Sequence, residues 1–150
     1  MSSTNDMSRA EEFSFIIQSE TAAGLKVQET IIQKLQERGF SERDIFGVRL
    51  ALEEALVNAI KHGNRSDLSK QVRVEGWINS TKLRVEIEDE GPGFNVMDVP
   101  DPTADENLER PSGRGIMLMQ AFMSKIEYNE QGNCVILEKS RDMSAAPPPE

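Results

Sequence analysis

Two stretches, "QVRVEGWIN" (71–79) and "KLRVEIEDE" (82–90), constrain this chain more than any other part of it. Both alternate apolar and polar residues: Val72 and Val74 in the first, Leu83, Val85 and Ile87 in the second. A period of two puts one set on a buried sheet face and the other in water. Only "NST" separates them, a gap that suits a hairpin turn. A second pair, "IEYNE" and "CVILEK" joined by "QGN", repeats the arrangement later in the chain. Two hairpins demand antiparallel pairs, which disfavours a doubly wound parallel fold. Helices must then pack on the one apolar face, giving an α/β (α+β) two-layer sandwich.

The helices are legible around these strands. "FSFIIQS" (13–19) is apolar and β-branched, and suits a first strand. Thr21 is placed to cap a helix over 22–38, with Leu25, Ile31, Ile32 and Leu35 near one face and Gly39 as its stop. Ser41, with Asp44 three residues on, opens a second helix in the manner of a capping box. Its stop signal is Gly63-Asn64. Residues 91–112 are rich in Pro, Gly and acid, a length that suits a functional lid or disorder. "GRGIMLMQAFMSK" starts a third helix, and Met123 reads as core filler. The order is β-αα-ββ-loop-α-ββ.

A chain of 150 residues suits one domain. Residues 12–140 form it here, with residues 1–11 and 141–150 expected to be disordered. Lys and Arg number 17 against 26 Asp and Glu, a net charge of −9. Nucleic-acid binders usually carry a basic face, so direct binding of nucleic acid is disfavoured. One cysteine, Cys134, and one histidine, His62, exclude an internal disulfide and a Cys/His zinc site. No apolar run approaches the roughly 20 residues that cross a bilayer, and the N-terminus has no apolar leader, so a cytoplasmic location is expected.

Three motifs could carry chemistry. In "EEALVNAIKHG", Val48, Leu52, Ala55, Leu56 and Ala59 form an apolar stripe at about 100° per residue. Glu54, Asn58 and His62 run along its flank. A carboxylate and an amide one turn apart both offer oxygens, which Mg²⁺ prefers. In "DEGPGF", Gly91 and Gly93 remove two Cβ atoms and let backbone approach a flat ligand, while Asp89 offers an acceptor for an exocyclic amine. In "SGRGIMLM", Gly113 and Gly115 enter a helix whose N–H groups attract anions, and Arg114 adds charge. Taken singly, each is equally a solvated helix flank, an ordinary turn or a plain helix start. In order, they match a metal, a purine and a phosphate chain.

These three boxes resemble those of the GHKL ATPase superfamily, with its Bergerat ATP-binding fold. The short lid and "GRGIMLM" followed by "FMSKIEY" are most similar to the small bacterial anti-sigma factors that are also serine-protein kinases, of the RsbW and SpoIIAB type. The resemblance implies a mixed, mostly antiparallel sheet with three helices on one face. It implies that Asn58 ligates Mg²⁺, that Glu54 is the general base for a serine or threonine hydroxyl, and that Asp89 bonds the adenine amine. Gly91 and Gly93 would lie beside adenine, and Gly113, Arg114 and Gly115 would face the phosphates. The implied cofactors are ATP and Mg²⁺. The implied partners are a STAS-domain anti-anti-sigma factor as substrate and a sigma factor held by a kinase homodimer. Where related kinases often carry threonine, this chain has Cys134, which leaves one nucleotide hydrogen bond open. The rival reading is a partner-binding module that holds ATP, or nothing, without transferring phosphate; Glu54 beside Asn58 weighs against it.

Overall fold

The computed structural model describes residues 9–91 and 120–142. Within them run β1 (Glu11–Gln18), α1 (Thr21–Glu37), α2 (Glu42–Val57), a π-helical turn (Asn58–Gly63), β2 (Gln71–Ile78), β3 (Lys82–Asp89), β4 (Lys125–Tyr128) and β5 (Cys134–Ser140). The strands form one sheet in the order β1-β2-β3-β5-β4. All four pairings are antiparallel, so the "mostly" of the expected sheet becomes "wholly" among the described residues.

The alternation does what the sequence implies. Val72, Val74 and Ile78 of β2, Leu83, Val85 and Ile87 of β3, and Val135 and Leu137 of β5 are all buried. Register aligns them in rows: Val74 opposite Ile87, and Ile87 opposite Val135. Above this floor lie Val27, Ile31, Ile32 and Leu35 of α1 and Val48, Ala51, Leu52, Ala55 and Leu56 of α2. Each buried Ile or Leu contributes roughly 1.5–3 kcal/mol relative to exposure.

Helix ends show where local signals succeed. Ser41 caps α2, its side chain accepting from the Asp44 N–H at 3.1 Å. Gly39, at φ +74°, closes α1 in the left-handed conformation, with Phe40 N–H returning to the Leu35 carbonyl at 3.1 Å. Two expectations need correction. Thr21 is the first residue of α1 rather than its cap; Glu20 takes that position without a side-chain bond. Leu25 is 55% exposed, because the buried stripe runs through Gly24, Val27, Gln28, Ile31 and Leu35, and Leu25 lies one residue off it.

Contacts to the fold continue through residue 142. Arg141 N–H donates to the Thr81 carbonyl at 2.8 Å, and its guanidinium lies 4.5 Å from the Phe40 ring centre. Asp142 N–H donates to Asp44 Oδ2 at 3.0 Å. Glu11, assigned to the disordered N-terminus, begins β1 and pairs with Lys34. Of the third helix, residues 120–122 are described, and Phe122 packs edge-on against Phe46 of α2. Lys125 belongs to β4, so the helix ends before it. No helix among the described residues is long and apolar enough to cross a membrane.

Candidate functional site

The site begins where α2 changes pitch. Glu54 lies in α2, and Asn58 opens the π-helical turn. The Asn64 N–H reaches back five residues to the Ala59 carbonyl at 2.9 Å, and Ser66 N–H reaches Ile60 at 2.8 Å. π-turns concentrate at functional sites because they re-aim side chains that an α-helix would stack. The following Arg65 and Ser66 both adopt left-handed φ, 53° and 57°. That costs on the order of 1 kcal/mol each for non-glycine residues. The segment is held by Asn64 and by Asp67, which accepts from Ser69 N–H at 2.9 Å.

The turn ends against the tip of β3. Asp89 is buried, and its Oδ1 accepts from Gly91 N–H at 2.8 Å. A Cβ on Gly63 would overlap the Asp89 carboxylate, and one on Gly91 would overlap the Gly63 carbonyl oxygen. Both glycines are therefore required by close approach. Asn64, only 1% exposed, ties the tip together. Its Nδ2 donates to Ser19 Oγ and the Gln71 carbonyl, both at 2.9 Å, and its Oδ1 accepts from Glu90 N–H at 2.8 Å. One side chain thus joins the end of β1, the start of β2 and the end of β3. Sequence reading took Gly63-Asn64 for a helix stop, which is true but incomplete.

Tyr128 is the residue that sequence reading missed. Strand register sets it opposite Val135, which sits opposite Ile87, so it shares the helix-facing side of the sheet. Its hydroxyl is shut off from solvent, and the Asn58 side chain is among the groups that act on it. Burial pushes the phenol up to about 12; Asn58 opposes this, and the charges of Glu54 and Asp89 add to it. Four side chains from four elements thus act on one another electrostatically: Glu54, Asn58 and Asp89 all bear on Tyr128. The only sequence signal for Tyr128 was an apolar-side position in an alternating strand, which any core residue would give.

The electrostatics of the group are set by burial. Asp89 is pushed up to about 6, mainly by burial, against the lowering effect of Gly91 N–H. Glu54 is raised by burial and by Glu53. His62, half-buried, is lowered by burial and by Lys61. Its row with Glu54 and Asn58 assumed α pitch, which ends at Asn58. Cys134 pairs with Glu88 rather than Asp89, so it lies on the opposite sheet face and does not face the group.

The residues suit Mg²⁺ with a nucleotide. Asn58 is 6% exposed, and neither its Oδ1 nor its Nδ2 has a well-aligned hydrogen bond among the described residues. Buried polar atoms are normally satisfied, so an amide oxygen left over points to a ligand. No cluster of three His, Cys, Asp or Glu among the described residues could hold a metal alone. Mg²⁺ commonly takes one or two protein oxygens and completes its shell from phosphates and water. Gly93, Gly113, Arg114 and Gly115 lie outside the described residues.

Comparison with known proteins gives the family. Residues 19–139 match the model of the histidine kinase-like ATPase domain. The chain is 35% identical over 102 residues to an anti-sigma F factor of Clostridium perfringens, covering 64% of this chain and 72% of that protein. It is 28% identical over 108 residues to the serine-protein kinase RsbW of Listeria monocytogenes, covering 67% and 69%. Its fold matches a crystal structure of the RsbU and RsbW domains of a Mycobacterium tuberculosis protein, with a TM-score of 0.59 at 16% identity. That match spans 87% of this chain and 32% of the longer one. The chain belongs to the histidine kinase-like ATPase family, where its relatives include proteins named anti-sigma F factor and serine-protein kinase RsbW.

Proposed function

We propose that this chain is an ATP- and Mg²⁺-dependent serine/threonine protein kinase that also acts as an anti-sigma factor. Its substrate is a STAS-domain anti-anti-sigma factor, its second partner a sigma factor, and its working form a homodimer in the cytoplasm. The observation that carries the reading is the buried Asn58 amide without a well-aligned partner, one turn from a Glu54 whose pKa is raised. An amide oxygen suits the metal, and a carboxylate of raised basicity suits a proton acceptor. Asp89 would accept from the adenine amine, with Gly91 and Gly93 beside the ring. Gly113, Arg114 and Gly115 would face the phosphates.

In the transfer, the substrate hydroxyl oxygen forms a bond to the γ-phosphorus as the β–γ bridging P–O bond breaks. ADP leaves with the bridging oxygen, and the hydroxyl proton passes to Glu54. Bound Mg²⁺ supplies neutralisation of phosphate charge. Glu54 stands at the rim of a groove of about 220 Å³ with Leu50, Glu53 and Val57, open to a docked partner. Its environment keeps it protonated to a higher pH than an ordinary glutamate. Activity should accordingly be lost on acidification earlier than for an unperturbed carboxylate.

Two measurements test the reading. Calorimetry should show ATP binding that depends on Mg²⁺ in the wild type and is lost in Asn58→Ala. With a STAS-domain substrate, Glu54→Gln should bind ATP within about two-fold of wild type while transfer falls roughly 10²–10⁴-fold. Unchanged transfer would remove Glu54 as the base. A folded wild type that binds no ATP would leave a partner-binding module in place of a kinase.

A further inference from the structure

An asparagine that ligates a cation has an orientation problem. Its carboxamide has an oxygen end and an NH₂ end of almost the same shape, and only the oxygen binds a metal. On a surface, water averages the two orientations. Asn58 is buried, so whichever neighbour engages one end decides what the other presents. The ordinary solution in metal sites is an outer group that holds the ligand by its non-ligating atom.

We propose that Tyr128 is the positioning residue for Asn58: its buried hydroxyl accepts from Nδ2 and so turns Oδ1 toward the cation. This rests on the nucleotide-site reading above. Three observations carry it. The register of β4 on β5 places Tyr128 on the helix-facing side, in line with Val135 and Ile87. Its hydroxyl is buried, as is the Asn58 amide, and the Asn58 side chain acts on it in the sense of a donor. The remaining polar groups of the cluster, Glu54 and Asp89, are carboxylates; as anions they can only accept, and both are needed for other atoms in the reaction. A neutral phenol can take the NH₂ end without adding charge beside the metal. Tyr128 is the last residue of β4, where the strand turns into the β4–β5 hairpin.

The test is a double-mutant cycle read by calorimetry and NMR. Tyr128→Phe keeps the ring and removes the oxygen. It should leave ATP affinity without Mg²⁺ within about two-fold of wild type, while the gain in affinity on adding Mg²⁺ falls about ten-fold. The Asn58 side-chain NH₂ signals of the ligand-free protein should shift in the same variant. In an Asn58→Asp background the two carboxylate oxygens are equivalent and no orientation needs fixing. There, Tyr128→Phe should have no effect on the Mg²⁺ gain. An equal loss in both backgrounds, or a loss equal with and without Mg²⁺, would make Tyr128 a packing residue only. If Asn58→Asp does not bind nucleotide, the NH₂ signals decide: unmoved signals in Tyr128→Phe overturn the proposal. Absence of any Mg²⁺ gain in wild type would overturn the nucleotide-site reading instead, and the NH₂ signals would still report on the Tyr128 contact.

Discussion

The two faces of the sheet treat charge in opposite ways. On the open face, Arg73 stands among Glu75, Glu86 and Glu88 and is paired with all three, which raises its pKa. Lys82 and Arg84 both reach Glu138, whose pKa they lower. Charges there are matched with charges. On the helix face, at the tip of β3, Asp89 is buried with a backbone N–H as its polar contact, and the Asn58 amide lacks well-aligned bonds. The open face is wet and settled; the helix face is dry and under-satisfied. A fold selected for stability alone would show the reverse. Under the proposed function, the helix face is the side on which a ligand completes the structure.

The comparison can be broken in several places. The greatest effect is expected at Gly91→Ala, where the new Cβ meets the backbone oxygen of Gly63, which cannot rotate away. Overpacking against a backbone should cost about 3 kcal/mol in denaturant unfolding, the upper end of the usual range. A stability within experimental error of wild type would show that the tip of β3 is looser than described. Next comes Asn58→Leu. Removing a poorly satisfied buried amide should stabilise the ligand-free protein by roughly 1–3 kcal/mol while abolishing Mg²⁺-dependent ATP binding. A destabilised variant would mean that Asn58 serves the fold first.

Asp89→Asn comes third and has a pH signature. The folded pKa, about 6, lies above the ordinary value near 3.8. Between these values the folded state holds a proton that the unfolded state has released, so stability falls as pH rises. The gain from Asp89→Asn should therefore be complete above pH 6 and vanish below about pH 4. Wild-type ATP affinity should fall about ten-fold as pH drops through 6, because the charged acceptor for the adenine amine is lost. A flat profile would separate Asp89 from adenine. The smallest effect belongs to the open face. Arg73→Met should cost under about 1 kcal/mol, less at high salt, since its partners are partly exposed.

Most of the fold was legible because its signals are local. The alternation in β2 and β3, the Ser41 cap and the left-handed Gly39 each act over a few residues. Glu54, Asn58 and Asp89 were legible as residue types in a recognisable spacing, and all three bear on the buried Tyr128 hydroxyl. What escaped depends on long-range register or on a change of helical pitch. Tyr128 gains its place only through pairing with β5. Asn64 gains its partners from three strand ends far apart in sequence. His62 seemed to continue a row because the α period was carried past the point where the helix widens. Leu25 was assigned inward because apolar content suggested a face that the geometry of α1 rotates away.

The π-turn has a consequence for the gene. It amounts to an α-helix that has taken in one extra residue. Loss of a single codon between Ala59 and His62 would restore ordinary pitch and keep the segment helical. It would also swing everything beyond by about 100°, the angle that one residue spans in an α-helix. Gly63 would leave Asp89, and Asn64 would leave all its strand-end contacts. This short segment should therefore tolerate substitution far better than any change in length.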